Sequence, residues 1–223
     1  MPDVFPKARR KQSHVAHPLA RSSGEFAYIL TTFPLVAQPV KDAALGAFRT
    51  FAPKPGDPAI AALLTAGESA TVEFKSSARW DLREQKKNPV LEQVILKTIA
   101  ALLNTDGGTL LLGVADDGTV LGLEPDYQTL QKKNADGYEL FLNDLLLNHY
   151  GKDCSPCLRV TFHESDGKQI CRLVASAAPR PVWVTEKDKD GVEIENLYIR
   201  TGNSTRRLTT REALDYCKTR WKG

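Results

Sequence analysis

No stretch of this chain stays apolar for the roughly 20 residues that a membrane-spanning helix needs. The basic residues Lys7, Arg9, Arg10 and Lys11 are not followed by an apolar core, so no secretory signal is read. Cysteine is scarce: 4 in 223 residues do not make a disulfide scaffold. These absences predict a cytoplasmic protein with no membrane association. Enzyme motifs are missing too. There is no Gly-x4-Gly-Lys-Ser/Thr loop, and Gly107-Gly108 has no lysine at the required offset, so no ATP site is read. No Gly-x-Ser-x-Gly elbow presents a nucleophilic serine, and no His-Glu-x-x-His presents a zinc. A strong net charge is also absent. At +3, any polyanion must be met by a local patch and not by a global field. That charge is uneven: residues 1–60 hold 8 Lys/Arg against 4 Asp/Glu, and the remainder holds 22 against 23. There is no internal repeat and no low-complexity segment.

What is present reads as an ordinary globular chain, 42% hydrophobic and 26% charged. The length suits one domain of about 150 residues plus an extension. Residues 1–55 form that N-terminal extension. Residues 1–23 are polar, basic and Pro-bearing, and disorder is expected there. Residues 26–37 are β-prone but interrupted by Pro34, residues 41–51 suit a short helix, and Pro53, Pro55 and Pro58 mark a linker. The folded domain is read as 56–223, opening with Asp57-Pro58 as helix cap and first position.

Residues 88–122 organise that domain. Asn88 and Pro89 start a helix whose Val90, Leu91, Val94, Ile95, Ile99, Leu102 and Leu103 share one broad face. Residues 104–108 end it, with glycines where positive φ is cheap. Leu110, Leu111, Leu112 and Val114 form an unbroken apolar run that suits a strand covered on both faces. Asp116-Asp117-Gly118 predicts a hairpin turn into a second strand over 119–122. Upstream, Val72 and Phe74 alternate with Glu73 and Lys75, predicting a strand with one buried and one charged face. Residues 78–87 form a basic connection around Trp80. Downstream, a helix is predicted over 139–150 with Leu140, Phe141, Leu145 and Leu146 inward. A hairpin follows over 158–163 and 168–175, then a strand pair over 181–185 and 197–200. Thr209-x-x-Glu212 is a capping box that opens the last helix. Helices and mostly antiparallel strands are mixed without strict alternation, so the fold class is α+β.

Two ligand sets emerge. His149, Cys154 and Cys157, with Cys171 or His163 as a fourth, have zinc-ligand chemistry, but a second clear ligand pair is missing and zinc is disfavoured. Glu68, Glu73 and Asp116, with Asp117 beside it, lie at strand edges. Three such carboxylates on one point would bind Mg²⁺ or Mn²⁺ and support phosphodiester cleavage. Spacing alone favours a Glu73 paired with a lysine, a Glu68 near a helix end and a turn-forming Asp116-Asp117.

The segment Gly67-Glu68-Ser69-Ala70-Thr71-Val72-Glu73-Phe74-Lys75 resembles the AlbA-like domain of the Schlafen family. So does Leu102-Leu103-Asn104-Thr105-Asp106-Gly107-Gly108 through Gly113-Val114-Ala115-Asp116-Asp117-Gly118, and so does Tyr198-Ile199-Arg200-Thr201-Gly202-Asn203-Ser204-Thr205. The resemblance runs from about Asp57 to the C-terminus. It implies nucleic-acid binding, and in the nuclease branch a three-carboxylate site for cutting transfer and ribosomal RNA, which falls on Glu68, Glu73 and Asp116. Ala115 stands where many members carry a further aspartate. The family's two-lobed cores enclose RNA; this chain holds one lobe, so a homodimer would rebuild the groove. Candidate phosphate contacts are Lys75, Arg79, Arg83, Lys86, Lys87, Arg200, Arg206 and Arg207, with Trp80 to stack on a base and Lys75 able to steady a scissile phosphate. Three readings follow: a nucleic-acid-binding module with RNA favoured over DNA, a metal-dependent endoribonuclease, or a non-catalytic regulatory or protein-interaction domain.

Overall fold

Asn88 caps the central helix as its chemistry predicts, its side chain accepting a hydrogen bond from the Val90 N–H at 3.0 Å. The computed structural model describes residues 57–222 together with 39, 40, 42 and 43. The chain divides into two compact units, Met1–Pro53 and Lys54–Gly223. In the first, Pro39, Val40, Asp42 and Ala43 are helical. The expected disorder over 1–23, the β-prone segment over 26–37 and the rest of the 41–51 helix lie outside the described residues.

The second unit begins with α1 (Pro58–Ala66), capped by Asp57 and ended at Gly67. Then come β1 (Val72–Lys75), the two-residue strands β2 (Trp80–Asp81) and β3 (Lys86–Lys87), α2 (Pro89–Leu103) and β4 (Gly108–Leu112). A short α3 (Glu124–Tyr127) precedes α4 (Ala135–Tyr150) and a 3-10 turn at Lys152–Cys157. The hairpin β5 (Leu158–Ser165) and β6 (Lys168–Ala175) follows, then β7 (Trp183–Lys187), β8 (Glu193–Thr201), β9 (Ser204–Arg207) and α5 (Thr210–Arg220).

Four strands form one sheet in the order β1-β4-β6-β5, with β1 parallel to β4 and the other pairs antiparallel. A second sheet runs β7-β8-β9, all antiparallel. The fold is α+β. Helix α2 lies between the two sheets. Its Ile95, Leu96, Ile99 and Leu103 pack with Leu110, Leu112 and Leu173 of the first sheet and with Val184 and Tyr198 of the second. Helix α4 covers the same face of the four-stranded sheet through Tyr138, Leu142 and Leu146. The opposite face carries a smaller core in which Ile60 of α1 meets Val72, Phe74, Leu111 and Ile170. Strand β4 is thus covered on both sides, and full burial of each leucine contributes about 1.5–3 kcal/mol.

Two glycines close the α2–β4 turn because nothing larger fits. A Cβ on Gly107, at φ +83°, would stand 2.5 Å from the Ala175 carbonyl oxygen, and one on Gly108 would stand 2.5 Å from that of Thr71. Beside them Asn104 is fully buried. Its amide donates to the Val182 and Tyr198 carbonyls at 2.8 and 2.9 Å and accepts from the Val182 N–H at 2.8 Å. One side chain therefore pins the end of α2 to the second sheet. Farther along the same interface Lys97 pairs with Glu186 at 2.5 Å. Burial alone would raise the Glu186 carboxyl, but Lys97, Tyr198 and Asn196 together hold it below its usual range.

Several expectations change. Residues 119–122 do not form a strand; only an isolated Val114–Val120 bridge closes the turn, because Leu121 and Gly122 both donate to the Gly113 carbonyl. Helix α4 starts four residues earlier than the apolar pattern predicts, capped by Asn134, whose side chain accepts from the Gly137 N–H. Leu140 faces outward at 60% exposure, while Tyr138 and Leu142 take the inward positions. Residues 204–207, for which the sequence reading gives no strand, form strand β9.

Replacing Asn104 by Ala leaves three buried backbone groups without partners. Urea unfolding is expected to show a loss of about 3 kcal/mol or more. Asn104→Asp, which keeps the acceptor but not the donors, is also expected to destabilise.

Candidate functional site

Strand β1 places Glu73 and Lys75 on the α2 side of the sheet, in register with Leu110 and Leu112. Alternation predicts a charged, solvent-facing edge, and the structure corrects this: Glu73 is 8% exposed. The cause is Arg200 of β8, which reaches over from the second sheet. Its guanidinium meets Glu73 Oε2 at 2.7 Å and also donates to the Ser69 carbonyl at 2.7 Å. The other Glu73 oxygen accepts from Lys75 Nζ at 2.6 Å. A carboxylate between two cations is compensated where it is buried, and neither cation is free for an external phosphate.

Glu68 is likewise committed. Its Oε1 accepts from the Phe74 N–H at 2.9 Å and lies 4.0 Å from Lys75 Nζ. This satisfies the start of β1 after α1 has ended. Asp116 is exposed on the turn after β4. Asp117 is the turn former: its carboxylate accepts from the Thr119 N–H at 2.9 Å, which holds it below the usual carboxylate range.

Mg²⁺ or Mn²⁺ on Glu68, Glu73 and Asp116 does not fit this arrangement. Both oxygens of Glu73 already serve cations, and one of Glu68 serves a backbone donor. Among the described residues no group of three or more His, Cys, Asp or Glu side chains is gathered to hold an ion, the set around His149, Cys154 and Cys157 included. Burial pushes the Cys171 and Cys154 thiols up.

The eight candidate phosphate contacts divide by where their strands put them. Lys75 and Arg200 serve Glu73. Arg79 is buried at 7% exposure, its Nε 3.2 Å from Glu92 of α2 and its guanidinium 4.3 Å above the Phe141 ring of α4. These three are corrected to structural cations. Arg83, Lys86 and Lys87 are exposed on the β2–β3 hairpin, and Arg206 and Arg207 are exposed on β9. Lys86 pairs with Glu84 and Arg206 with Glu212. Arg83, Lys87 and Arg207 have no ion-pair partner among the described residues. Trp80 is half-buried and lies opposite Lys87 in the hairpin register.

Asp126, which sequence reasoning passes over, sets the position of that hairpin. It is 1% exposed. Its carboxylate accepts from the Ala78, Arg79 and Trp80 N–H groups at 2.9, 3.2 and 2.9 Å, and from the hydroxyls of Ser77 and Tyr138 at 2.5 and 2.9 Å. Four consecutive residues fold around one anion, and Trp80 enters β2 already oriented. These loop partners sit 46 to 49 residues upstream of Asp126, so no local spacing announces them.

A family model described as Schlafen, AlbA_2 matches residues 68–209. No curated protein matches the chain. Among solved structures it is similar to the DIP2311 protein from Corynebacterium diphtheriae, with 20% identity and a TM-score of 0.44. That likeness covers 68% of this chain and 27% of the other, so the chain spans about a quarter of that protein's length.

The division into inward and outward cations predicts opposite behaviour. Arg79→Ala is expected to lower stability by about 2–4 kcal/mol, because Glu92 loses its partner and Phe141 its stacked cation. Lys87→Ala is expected to leave stability within about 0.5 kcal/mol. Urea unfolding of both variants checks this.

Proposed function

We propose that this chain, which belongs to the Schlafen AlbA_2 family, binds the phosphate backbone of nucleic acid through the exposed cations of the β2–β3 hairpin and of β9. The observation that carries the reading is that Arg83, Lys87 and Arg207 face solvent without ion-pair partners among the described residues, and that Lys87 stands opposite Trp80. Unpaired cations on short strands suit backbone phosphates, which a protein holds by charge without reading bases. Trp80 offers a ring on which an unpaired base can stack, which favours single strands over duplex, and RNA is the preferred strand in this reading. A homodimer would bring two such surfaces together, and a cytoplasmic location would fit an RNA ligand.

The second reading, a metal-dependent endoribonuclease, rests on the filled positions Glu68, Glu73 and Asp116. Its geometry does not favour it, since Glu73 is held by Lys75 and Arg200. No catalytic step is derived from it.

Fluorescence anisotropy with a labelled single-stranded RNA and the matching DNA tests the proposal. Affinity is expected to fall as salt rises. The combined Arg83→Ala, Lys87→Ala and Arg207→Ala variant is expected to bind at least about 10-fold more weakly, with a salt slope smaller by about 2, at roughly 0.7 per lost contact on a single strand. Salt-insensitive binding, or unchanged affinity in the variant, would contradict it. Failure to bind either strand at low salt would turn the reading toward a regulatory or protein-interaction domain.

A further inference from the structure

The four-stranded sheet has a second charged region, on the face opposite α2. Helix α1 covers part of that face through Ile60, Leu63 and Leu64. Toward the Leu158 end of β5 the outward residues are Arg159, Thr161 and His163, and on β6 they are Arg172 and Val174. A cavity of about 570 Å³ opens there. Its polar lining is Ser155, Arg159, Thr161, His163, Arg172 and Ser176, and no carboxylate among the described residues lines it.

Arg172 is the informative residue. Its Nε is fully buried and meets no acceptor. None of its other guanidinium donors has a hydrogen-bond or ion-pair partner among the described residues, and Arg159 has none either. Arg159 stands opposite Val174 and Thr161 opposite Arg172, which makes the two arginines diagonal neighbours across the hairpin. Like charges at that separation repel, and a buried donor without an acceptor costs folding free energy. An anion in the cavity offsets the repulsion between the two guanidinium groups.

The remaining donors define its chemistry. The His163 Nδ1 lies 2.8 Å from Asp57, the cap of α1, and its Nε2 lies 2.9 Å from the Thr161 hydroxyl. Asp57 is held below its usual carboxylate range by the Ala59 N–H and by His163, so it stays an anchor for the ring. The ring in turn fixes the Thr161 hydroxyl beside Arg172. Two guanidinium groups and the hydroxyls of Ser155 and Ser176 match the charge near −2 and the terminal oxygens of a phosphate monoester. The volume exceeds that of the phosphate alone, and Pro156, Leu158 and Val174 supply an apolar wall for an attached sugar.

We propose that this cavity binds a phosphate monoester, carried either by a free mononucleotide or by the end of a nucleic-acid strand. The site is built on strands other than those of the backbone-binding cations and does not rest on that reading.

Titration calorimetry on the full chain tests it with AMP, adenosine, and one oligoribonucleotide in 5′-phosphorylated and 5′-hydroxyl forms. The expected result is that at least one phosphorylated ligand binds about 10-fold or more tightly than its dephosphorylated counterpart, and that Arg172→Gln abolishes the difference. A preference shown by AMP identifies a free nucleotide, and one shown only by the oligonucleotide identifies a strand end. Arg159→Gln, at an exposed position, is expected to reduce the same preference and serves if Arg172→Gln fails to fold. No preference in the native chain, or a preference that survives the substitutions, overturns the proposal.

Discussion

The pairing of Glu73 with Arg200 is the constraint on which the arrangement of the two sheets depends. The residues are 127 positions apart and belong to different sheets, yet they meet at 2.7 Å with the Arg200 side chain only 2% exposed. Neither charge is tolerable there alone. Glu73 needs a cation because β1 lies under the second sheet, and Arg200 needs the carboxylate because β8 leaves it no water. Lys75 takes the second Glu73 oxygen and the Ser69 carbonyl takes a second nitrogen of the guanidinium, while Arg200 Nε has no partner among the described residues. The same contacts decide how the site is to be read, because an acidic residue that looks like a metal ligand in the sequence is a counter-ion in the fold.

Two further polar anchors work in the same manner. Asn104 joins the end of α2 to β7 and β8, and Asp126 folds the 77–80 loop around its carboxylate. Each is a buried polar side chain satisfied largely by distant backbone, with the Ser77 and Tyr138 hydroxyls adding to Asp126. The Val-Glu-Phe-Lys and Asn-Thr-x-Gly-Gly motifs therefore have a structural explanation. The first supplies the counter-ion and its second cation. The second supplies the anchor and the two glycines that allow β4 to pass close to Thr71 and Ala175.

Local chemistry is legible in the sequence. The caps at Asp57, Asn88 and Thr209, the doubly covered strand around Leu111 and the β5–β6 hairpin all follow from residues within a few positions of one another. What is not legible depends on distant partners. Alternation marks Glu73 as exposed, and only Arg200 explains its burial. Arg79 reads as one of several basic residues in a loop, and only α2 and α4 reveal it as an inward cation. Leu140 continues an apolar run, but the earlier cap at Asn134 and the burial of Tyr138 and Leu142 turn it outward. Of the candidate phosphate contacts, those on the β2–β3 hairpin and β9 are exposed. Those within reach of a buried carboxylate lose that reading.

The joining of the two sheets, and the loss of Glu73 as a metal ligand, both require that Arg200 hold Glu73 in place. A double-mutant cycle with Glu73→Gln, Arg200→Met and both together, followed by urea unfolding, measures that coupling directly. The predicted coupling is at least about 2 kcal/mol, with the double variant more stable than the two single losses added would allow. Additive losses, with coupling near zero, would contradict this dependence and leave Glu73 free for another ligand.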